Sequence, residues 1–345
     1  MTDVPPHSTV SSPSSPTGRD HVSPATDRLR VIYIAAHSRS GTTLVGSLIG
    51  MLDDCCFVGE VWAAWTDGVD ANRMCGCGRA FRDCPFWTEV FQRAFGGFGT
   101  SASRDAQRAI ARLQSTGDAL SFWSSMWRRG FIAGDTAAYQ NALRPLYAAI
   151  QEVSGGKVIV DSSKLLRYGA LIASMPNVDI RFVNVVRDVR GVMQSRARPA
   201  LMRDGDVRHG DGTDAPRYRI MRIVSRWVGR NELSMRLIDR FGGLRVPYEE
   251  FVRDPRPALT TLSNAESAVH ALQQLEQGAV PEQHQLGGNW VRGLKLEPRE
   301  TWRDELPRRV RVVTTALAWP FLRRYRFENR GAGGLLSGRK DRAPQ

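Results

Sequence analysis

Short runs of apolar residues alternate along the chain with stretches in which apolar residues recur at helical spacing. Runs typical of strands occupy residues 31–36, 157–161 and 180–186, and a fourth begins at Leu244. Helical spacing marks residues 44–52, about 103–152, 217–241 and 298–327. This alternation predicts an α/β fold in which helices flank both faces of a central, mostly parallel β-sheet.

The two ends of the chain lack this pattern. Residues 1–28 are rich in Ser, Pro and Thr and predict a disordered segment, and residues 329–345 predict a flexible tail. The part between them, 29–328, predicts a single domain with a helical insertion at about 62–152. No stretch has the roughly 20 apolar residues of a membrane helix, and no signal-peptide core precedes the first strand. We therefore expect a cytoplasmic protein.

The segment between the first strand and the first helix, residues 37–44, has the composition of an anion-binding loop. Arg39 contributes a fixed positive charge, and Gly41 permits a tight turn. Hydroxyl donors come from Ser40, Thr42 and Thr43. A helix that starts here leaves its first N–H groups free for a phosphate or sulfate. The predicted fold is therefore a P-loop-like, three-layer domain.

The loop departs from a nucleoside-triphosphate loop at two positions. The pattern G-x-x-x-x-G-K-[ST] would place glycine where His37 stands and lysine where Thr42 stands. The missing lysine would otherwise hold the β- and γ-phosphates. Its absence disfavours a simple ATPase or GTPase and favours a ligand with fewer phosphoryl groups.

A second, distant pattern accompanies the loop. The strand at 180–186 is followed by Arg187, and Ser195 stands eight residues later on the next predicted helix. An arginine fork and a hydroxyl so placed can hold one phosphate. Together with the segment 38–44, this pair resembles the sulfotransferases that use 3′-phosphoadenosine 5′-phosphosulfate (PAPS), in particular bacterial and tyrosylprotein members. The resemblance covers about residues 30–325.

The resemblance implies transfer of a sulfuryl group from PAPS to a hydroxyl, less readily an amine, of a small-molecule, carbohydrate or lipid acceptor. It implies that Arg187 and Ser195 hold the 3′-phosphate and that the loop holds the 5′-phosphosulfate. The loop residues concerned are Arg39, Ser40, Gly41, Thr42, Thr43 and Leu44. The helical insertion would lie on the acceptor side. No metal is required, because arginine and lysine supply the positive charge.

The resemblance implies further roles for three residues that follow predicted strands. Glu60, after Gly59, would be the general base that deprotonates the acceptor, and an ordinary surface or capping glutamate is the alternative. Lys164 would stabilise the transferring group or the departing phosphate. Tyr248 would contact the nucleotide, and a tyrosine that covers the core is the alternative.

A glycine-containing loop near the end of the chain would close over the 3′-phosphate. Within it the resemblance assigns Gly288 and Arg292 to donor binding. His284, just before this loop, is expected to be structural rather than catalytic.

Three of the five cysteines, Cys75, Cys77 and Cys84, lie within ten residues. A zinc site would need a fourth ligand and more usual spacing. A disulfide between Cys77 and Cys84 would close a small loop, although stable disulfides are rare in the cytoplasm. Reduced structural cysteines are favoured, and all three alternatives remain open.

Two other functional classes remain. Asp161, at the end of the strand 157–161, is placed like the Mg²⁺-ordering aspartate of a P-loop kinase or NTPase. The net charge of +13 indicates an anionic partner and permits a non-catalytic anion- or nucleic-acid-binding module. Nucleic acid is disfavoured because the arginines are scattered rather than clustered. The identity of the acceptor is not predicted, and a homodimer is left open.

Overall fold

The structure is a computed structural model that describes residues 28–115, 137–197, 216–288, 296–297 and 300–327. Within these ranges one sheet forms the centre of the fold. Its strands are β1 (Leu29–Ile34), β2 (Cys55–Gly59), β3 (Val158–Asp161), β4 (Val178–Val186) and β5 (Gly243–Pro247). All neighbours pair in parallel in the order β2-β3-β1-β4-β5. The predicted α/β fold with a parallel central sheet is confirmed.

Helices connect the strands. The first crossover carries α1 (Thr42–Ile49). Between β2 and β3 lie three short helical turns, Val61–Ala63, Ala64–Asp70 and Phe81–Asp83, and then α2 (Pro85–Phe95), α3 (Ser101–Ser115) and α4 (Ala137–Val153). The next elements are α5 (Leu166–Ala173), α6 (Val189–Ala197) and α7 (Pro216–Phe241). After β5 come α8 (Tyr248–Arg253), α9 (Arg256–Leu262), α10 (Ala265–Glu276), α11 (Trp302–Glu305) and α12 (Arg308–Arg324).

Both faces of the sheet are buried, which explains why the strands are continuous apolar runs. In β1, Val31 and Tyr33 belong to one core cluster, which also holds residues of α2, α4 and α7. Ile32 and Ile34 belong to a second cluster, with residues of α1, α9 and α10. Successive side chains of a strand point to opposite faces, so one strand contributes to both clusters. Tyr33 pairs with residues on β3 and β4, and β1 is therefore central.

The sequence predicts one last helix over residues 298–327, and this prediction is wrong because the described residues form two helices. Two helices, α11 and α12, are separated at Leu306 and Pro307. Leu306 has an extended backbone (φ −78°, ψ 124°), because a residue that precedes proline is driven out of the helical region. Pro307 then introduces the first turn of α12.

The helical segments between β2 and β3 occupy the range of the predicted insertion. The predicted terminal segments 1–28 and 329–345 lie outside the described residues, apart from Arg28. The domain boundaries themselves stay a prediction. No described helix is both long and apolar enough to cross a membrane.

Candidate active site

One edge of the sheet collects the predicted site residues. Each strand is followed at its carboxyl end by one of them, in the order Arg39, Glu60, Lys164, Arg187 and Tyr248. Because all five strands are parallel, their carboxyl ends lie on the same edge. Open parallel sheets bind ligands in the crevice at this edge, where the strand order reverses. Here the order reverses around β1.

The loop after β1 has an open anion seat. Gly41 precedes α1 in the left-handed conformation (φ 86°), and no side chain of the described residues caps the first turn of the helix. The Ser40 hydroxyl is buried and has no hydrogen-bond partner among the residues that the structure describes. A buried hydroxyl without a partner is costly unless a ligand satisfies it. The uncapped helix start and this hydroxyl therefore fit a bound phosphate or sulfate group.

The ring of Tyr248 closes the loop from the β5 side. A Cβ atom on Gly41 would lie 2.0 Å from the Tyr248 ring, so only glycine fits beneath it. The guanidinium carbon of Arg187 lies 5.0 Å from the centroid of the same ring. Tyr248 thus contacts the loop and one predicted phosphate ligand, and its side chain is half-buried rather than part of the deep core.

The residues that are predicted to bind the two phosphate ends of the donor contact each other. Arg39 donates from Nε to the Ser195 hydroxyl at 3.0 Å and from a terminal nitrogen to the Ser195 carbonyl at 3.2 Å. Arg187 donates to the Arg39 carbonyl at 3.1 Å. Burial, and then the charge of Arg187, lowers the pKa of Arg39. Two cations held side by side favour an anion between them.

The carboxylate of Glu60 has a defined position beside the loop. One oxygen is bonded to the Lys164 ammonium, and the other accepts from the Trp62 indole at 3.1 Å. Lys164 adopts a left-handed backbone conformation (φ 64°). The side chains of Lys164 and Glu60 are 14% and 15% exposed. The pair is sequestered from bulk water and still reachable by a ligand.

A turn near the end of the described chain joins Glu60 to the anion loop. Leu286 accepts from the Glu60 N–H at 2.8 Å and pairs with Gly59. A Cβ on Gly287 would lie 3.3 Å from the Cβ of Glu60, and one on Gly288 would lie 2.6 Å from the Thr43 hydroxyl oxygen. The turn 286–288 therefore contacts both the carboxylate residue and the anion loop.

Asp161 does not present a free carboxylate to the cleft. The residue is fully buried, and its oxygens accept from Tyr147, from the Ser163 hydroxyl and from the Ser163 N–H at 2.7 Å. Burial raises the pKa of Asp161 to about 6. The Ser163 hydroxyl also accepts from the Trp62 N–H at 3.2 Å, so Asp161 supports the Glu60 region from behind.

A second buried carboxyl group supports the turn after β4. Glu249 accepts from the Asp188 N–H at 3.1 Å, and its other oxygen has no hydrogen-bond partner in the described part of the chain. Burial, and then the charge of Asp188, raises the pKa of Glu249 to about 7. Asp188 in turn pairs with Arg190 at 2.7 Å. These contacts fix the turn from which Arg187 projects.

Some predicted residues contribute less directly, and others were not predicted. Leu44 packs partly against the core, so it can offer a ligand only its backbone. Arg292 lies outside the described residues, and its role stays a prediction. Sequence interpretation missed Trp62 and Ser163, although each stands within two residues of an acidic residue that it contacts.

No family model matches the chain, and no curated protein matches it. The sulfotransferase STF9 from Mycobacterium avium has a TM-score of 0.43 and 13% identity, over 86% of this chain and 76% of that one. The sulfotransferase domain of the Synechococcus PCC 7002 olefin synthase has a TM-score of 0.39 and 18% identity, over 84% and 94%.

The sulfotransferase domain from the curacin biosynthetic pathway has a TM-score of 0.45 and 16% identity, over 85% of this chain and 97% of that one. All three structures are sulfotransferases. They carry the name of the family that the sequence motifs resemble.

Proposed function

We propose that the protein is a PAPS-dependent sulfotransferase that acts on a hydroxyl, less readily an amine, of a small-molecule, carbohydrate or lipid acceptor. The proposal rests on one observation. The turn 286–288 contacts both Thr43 of the anion loop and Glu60 of the carboxylate–lysine pair. Direct transfer requires the donor seat and the acceptor base to be adjacent, because the reacting atoms must be held within contact distance.

The residues around the loop fit the donor. When bound, PAPS supplies the sulfuryl group and a phosphate leaving group. Arg39, the Ser40 hydroxyl and the N–H groups at the start of α1 would hold the 5′-phosphosulfate. Arg187 and Ser195 would hold the 3′-phosphate, and Gly288 would allow the backbone of its turn to approach the donor. This set supplies donors and positive charge without a metal ion.

Glu60 would take the proton of the acceptor. Each of its oxygens accepts one hydrogen bond from the described residues, and a carboxylate oxygen has a second acceptor site left. The acceptor hydroxyl would donate to that site and lose its proton there as its oxygen bonds to sulfur. Lys164, beside Glu60, would stabilise the negative charge of the departing phosphate.

A kinase or NTPase is the principal alternative, and the environment of Asp161 argues against it. That function would require an aspartate oxygen facing a bound Mg²⁺. Asp161 is instead fully buried and bonded to Tyr147 and Ser163. Its contacts indicate a structural role.

The experiment that tests the proposal combines transfer and binding. Labelled sulfate from PAPS should enter one or more components of an acceptor extract. Glu60→Gln should lower kcat by about 10²–10⁴-fold, because it removes a general base. Its affinity for 3′-phosphoadenosine 5′-phosphate, measured by calorimetry, should change by less than about threefold, since the base does not hold the donor.

Glu89→Gln is the matched control, because Glu89 is exposed on α2, remote from the anion loop in sequence. It should leave both measurements unchanged. Equal loss of turnover and nucleotide affinity in Glu60→Gln would remove Glu60 from the base role. Failure of the wild-type chain to bind the bis-phosphorylated nucleotide, together with Mg²⁺-dependent ATP turnover, would replace the sulfotransferase proposal by the kinase alternative.

A further inference from the structure

A group of thiol and imidazole side chains converges between the insertion after β2 and the segment that precedes the turn 286–288. Their ligand atoms all lie within 4.8 Å of one another. We call this group the thiol–imidazole cluster, and its members are Cys75, Cys77, Cys84 and His284. Three belong to the insertion after β2, and the fourth belongs to the segment that leads into the turn 286–288. The fold thus supplies the fourth ligand that the cysteine spacing alone lacks.

Three distances within the cluster are close to the edges of a metal-centred tetrahedron. Zinc bonds sulfur at about 2.3 Å and nitrogen at about 2.0–2.1 Å, which gives edges of about 3.8 Å between sulfurs and about 3.5 Å between sulfur and nitrogen. The sulfurs of Cys77 and Cys84 are 3.6 Å apart. The Nδ1 atom of His284 lies 3.4 Å from the Cys84 sulfur and 3.9 Å from the Cys75 sulfur.

A disulfide does not account for this arrangement. A disulfide requires a sulfur–sulfur distance of about 2.05 Å, and the cysteines of the cluster are free thiols. A disulfide between Cys77 and Cys84 would also not involve the fully buried Cys75, whose sulfur lies 3.9 Å from Nδ1 of His284. The convergence of three sulfurs and one ring nitrogen is the donor set of a closed structural zinc site.

The surroundings of the cluster hold its members in place. The His284 ring stacks on Phe86 at 4.5 Å with an interplanar angle of 1°, and its carbonyl accepts from the Trp87 indole at 2.9 Å. The Cys75 N–H donates to the Arg79 carbonyl at 2.8 Å, which closes a tight turn around the first two thiols. Ligands that are oriented before the metal arrives are typical of metal sites.

We propose that the thiol–imidazole cluster binds one structural zinc ion. Four protein ligands leave no open position for substrate, so the ion would not take part in the transfer chemistry. Gly76, between the first two thiols, donates to the Gln285 carbonyl at 3.0 Å. The ion would therefore fasten the insertion to the segment that carries the turn 286–288, which contacts Glu60 and Thr43.

The first test measures metal in the wild-type chain, purified reduced and passed through a weak chelator. Elemental analysis should give about one zinc per chain, and cobalt(II) should replace it with the intense visible absorption and thiolate charge-transfer bands of a tetrahedral thiolate site. Removal of the ion by a strong chelator should lower the Tm by about 5–10 °C, and added zinc should restore it.

The second test uses cysteine variants. Cys84→Ser should reduce bound zinc at least tenfold, and Cys56→Ser is the matched control because Cys56 lies on β2 outside the cluster. The control should retain one zinc. The proposal is overturned if the reduced wild-type chain binds no zinc when zinc is supplied in excess, or if both variants lose zinc equally.

These measurements decide the question even if Cys84→Ser does not fold, because the metal content and the cobalt spectrum come from the unmodified chain. They are also independent of sulfuryl transfer. A chain that binds zinc and transfers no sulfate would retain this inference and lose the proposed function.

Discussion

Two cationic residues of the site have a backbone conformation that side chains disfavour. Arg39 and Lys164 have φ values of 72° and 64°. A left-handed conformation costs a residue with a Cβ about 1–2 kcal/mol. Such strain persists where other contacts fix the residue, and it is common at functional sites. Here Arg39 is bonded to Ser195 and Lys164 to Glu60, so the strain is offset by contacts that orient both charges.

Substitution of Arg187 should test whether this residue binds the donor. Arg187→Ala should weaken binding of 3′-phosphoadenosine 5′-phosphate by about 10–100-fold, since charge-assisted bonds to phosphate contribute roughly 1.5–3 kcal/mol. Arg181→Ala is the control, because Arg181 is exposed on β4, the strand that Arg187 follows. Calorimetry measures both. Similar losses of nucleotide affinity in the two variants would mean that the net charge of the protein, rather than a defined site, binds the nucleotide.

The buried carboxyl group of Glu249 should make stability depend on pH. Burial raises its pKa in the folded chain to about 7, so the native state binds the proton more tightly than the unfolded state. Stability from this residue is therefore present at low pH and lost as the pH rises from about 4.5 through about 7. The loss should be on the order of 2–3 kcal/mol.

Glu249→Gln should remove that component, because glutamine does not ionise. Urea unfolding of the wild type and the variant at pH 5 and pH 8 should show a difference that grows in favour of the variant at pH 8. Glu250→Gln is the control, since Glu250 is its exposed neighbour on α8. A pH-independent difference for Glu249→Gln would contradict the assigned titration.

At the scale of elements, the strand–turn–helix unit from β1 to α1 is the part of the site that sequence predicts best. Its signals are local: an apolar run, a glycine and hydroxyl residues at fixed spacing. The contact between Gly41 and the Tyr248 ring could not be predicted in the same way, because 207 residues separate the two in the chain. Pairing of β4 with β5 brings them together.

Substitution of Gly41 separates steric from backbone effects. Gly41→Ala places a Cβ 2.0 Å from the Tyr248 ring, so the ring or the loop must move. We expect the affinity for 3′-phosphoadenosine 5′-phosphate to fall by more than about tenfold, since a shift near an ångström disrupts such sites. Gly278→Ala is the control, because Gly278 has φ 69° and no atom of the described residues would lie within 4 Å of an added Cβ.

The control should lose stability and keep nucleotide affinity. Both substitutions force alanine into a left-handed conformation, at a cost of about 1–2 kcal/mol in unfolding free energy. Calorimetry and urea unfolding on each variant separate the two effects. Equal nucleotide affinity in the two variants would show that the Tyr248 ring does not shape the donor seat.

At the scale of the whole molecule, sequence predicts the sheet because each strand is a local apolar run, and parallel pairing then follows from the helices between the strands. The sequence does not predict in the same way that His284 lies beside three cysteines. This proximity depends on the path of the chain after α10, for which the sequence has no periodic signal. The insertion, which the resemblance places on the acceptor side, likewise follows no recognisable motif.

The net charge of +13 gives a prediction that separates a defined nucleotide site from a general polyanion surface. Arg39 and Arg187 are half-buried, so salt should screen their attraction for a bound phosphate only in part. Raising the salt from about 50 to 200 mM should weaken binding of 3′-phosphoadenosine 5′-phosphate by less than about tenfold, whereas a protein that contacts 6–10 phosphates of DNA loses about 10³–10⁵. Mixed-sequence duplex DNA should not displace the nucleotide in a competition titration. Displacement with the steeper salt dependence would favour the nucleic-acid alternative, because it would show that the same cations bind any polyanion.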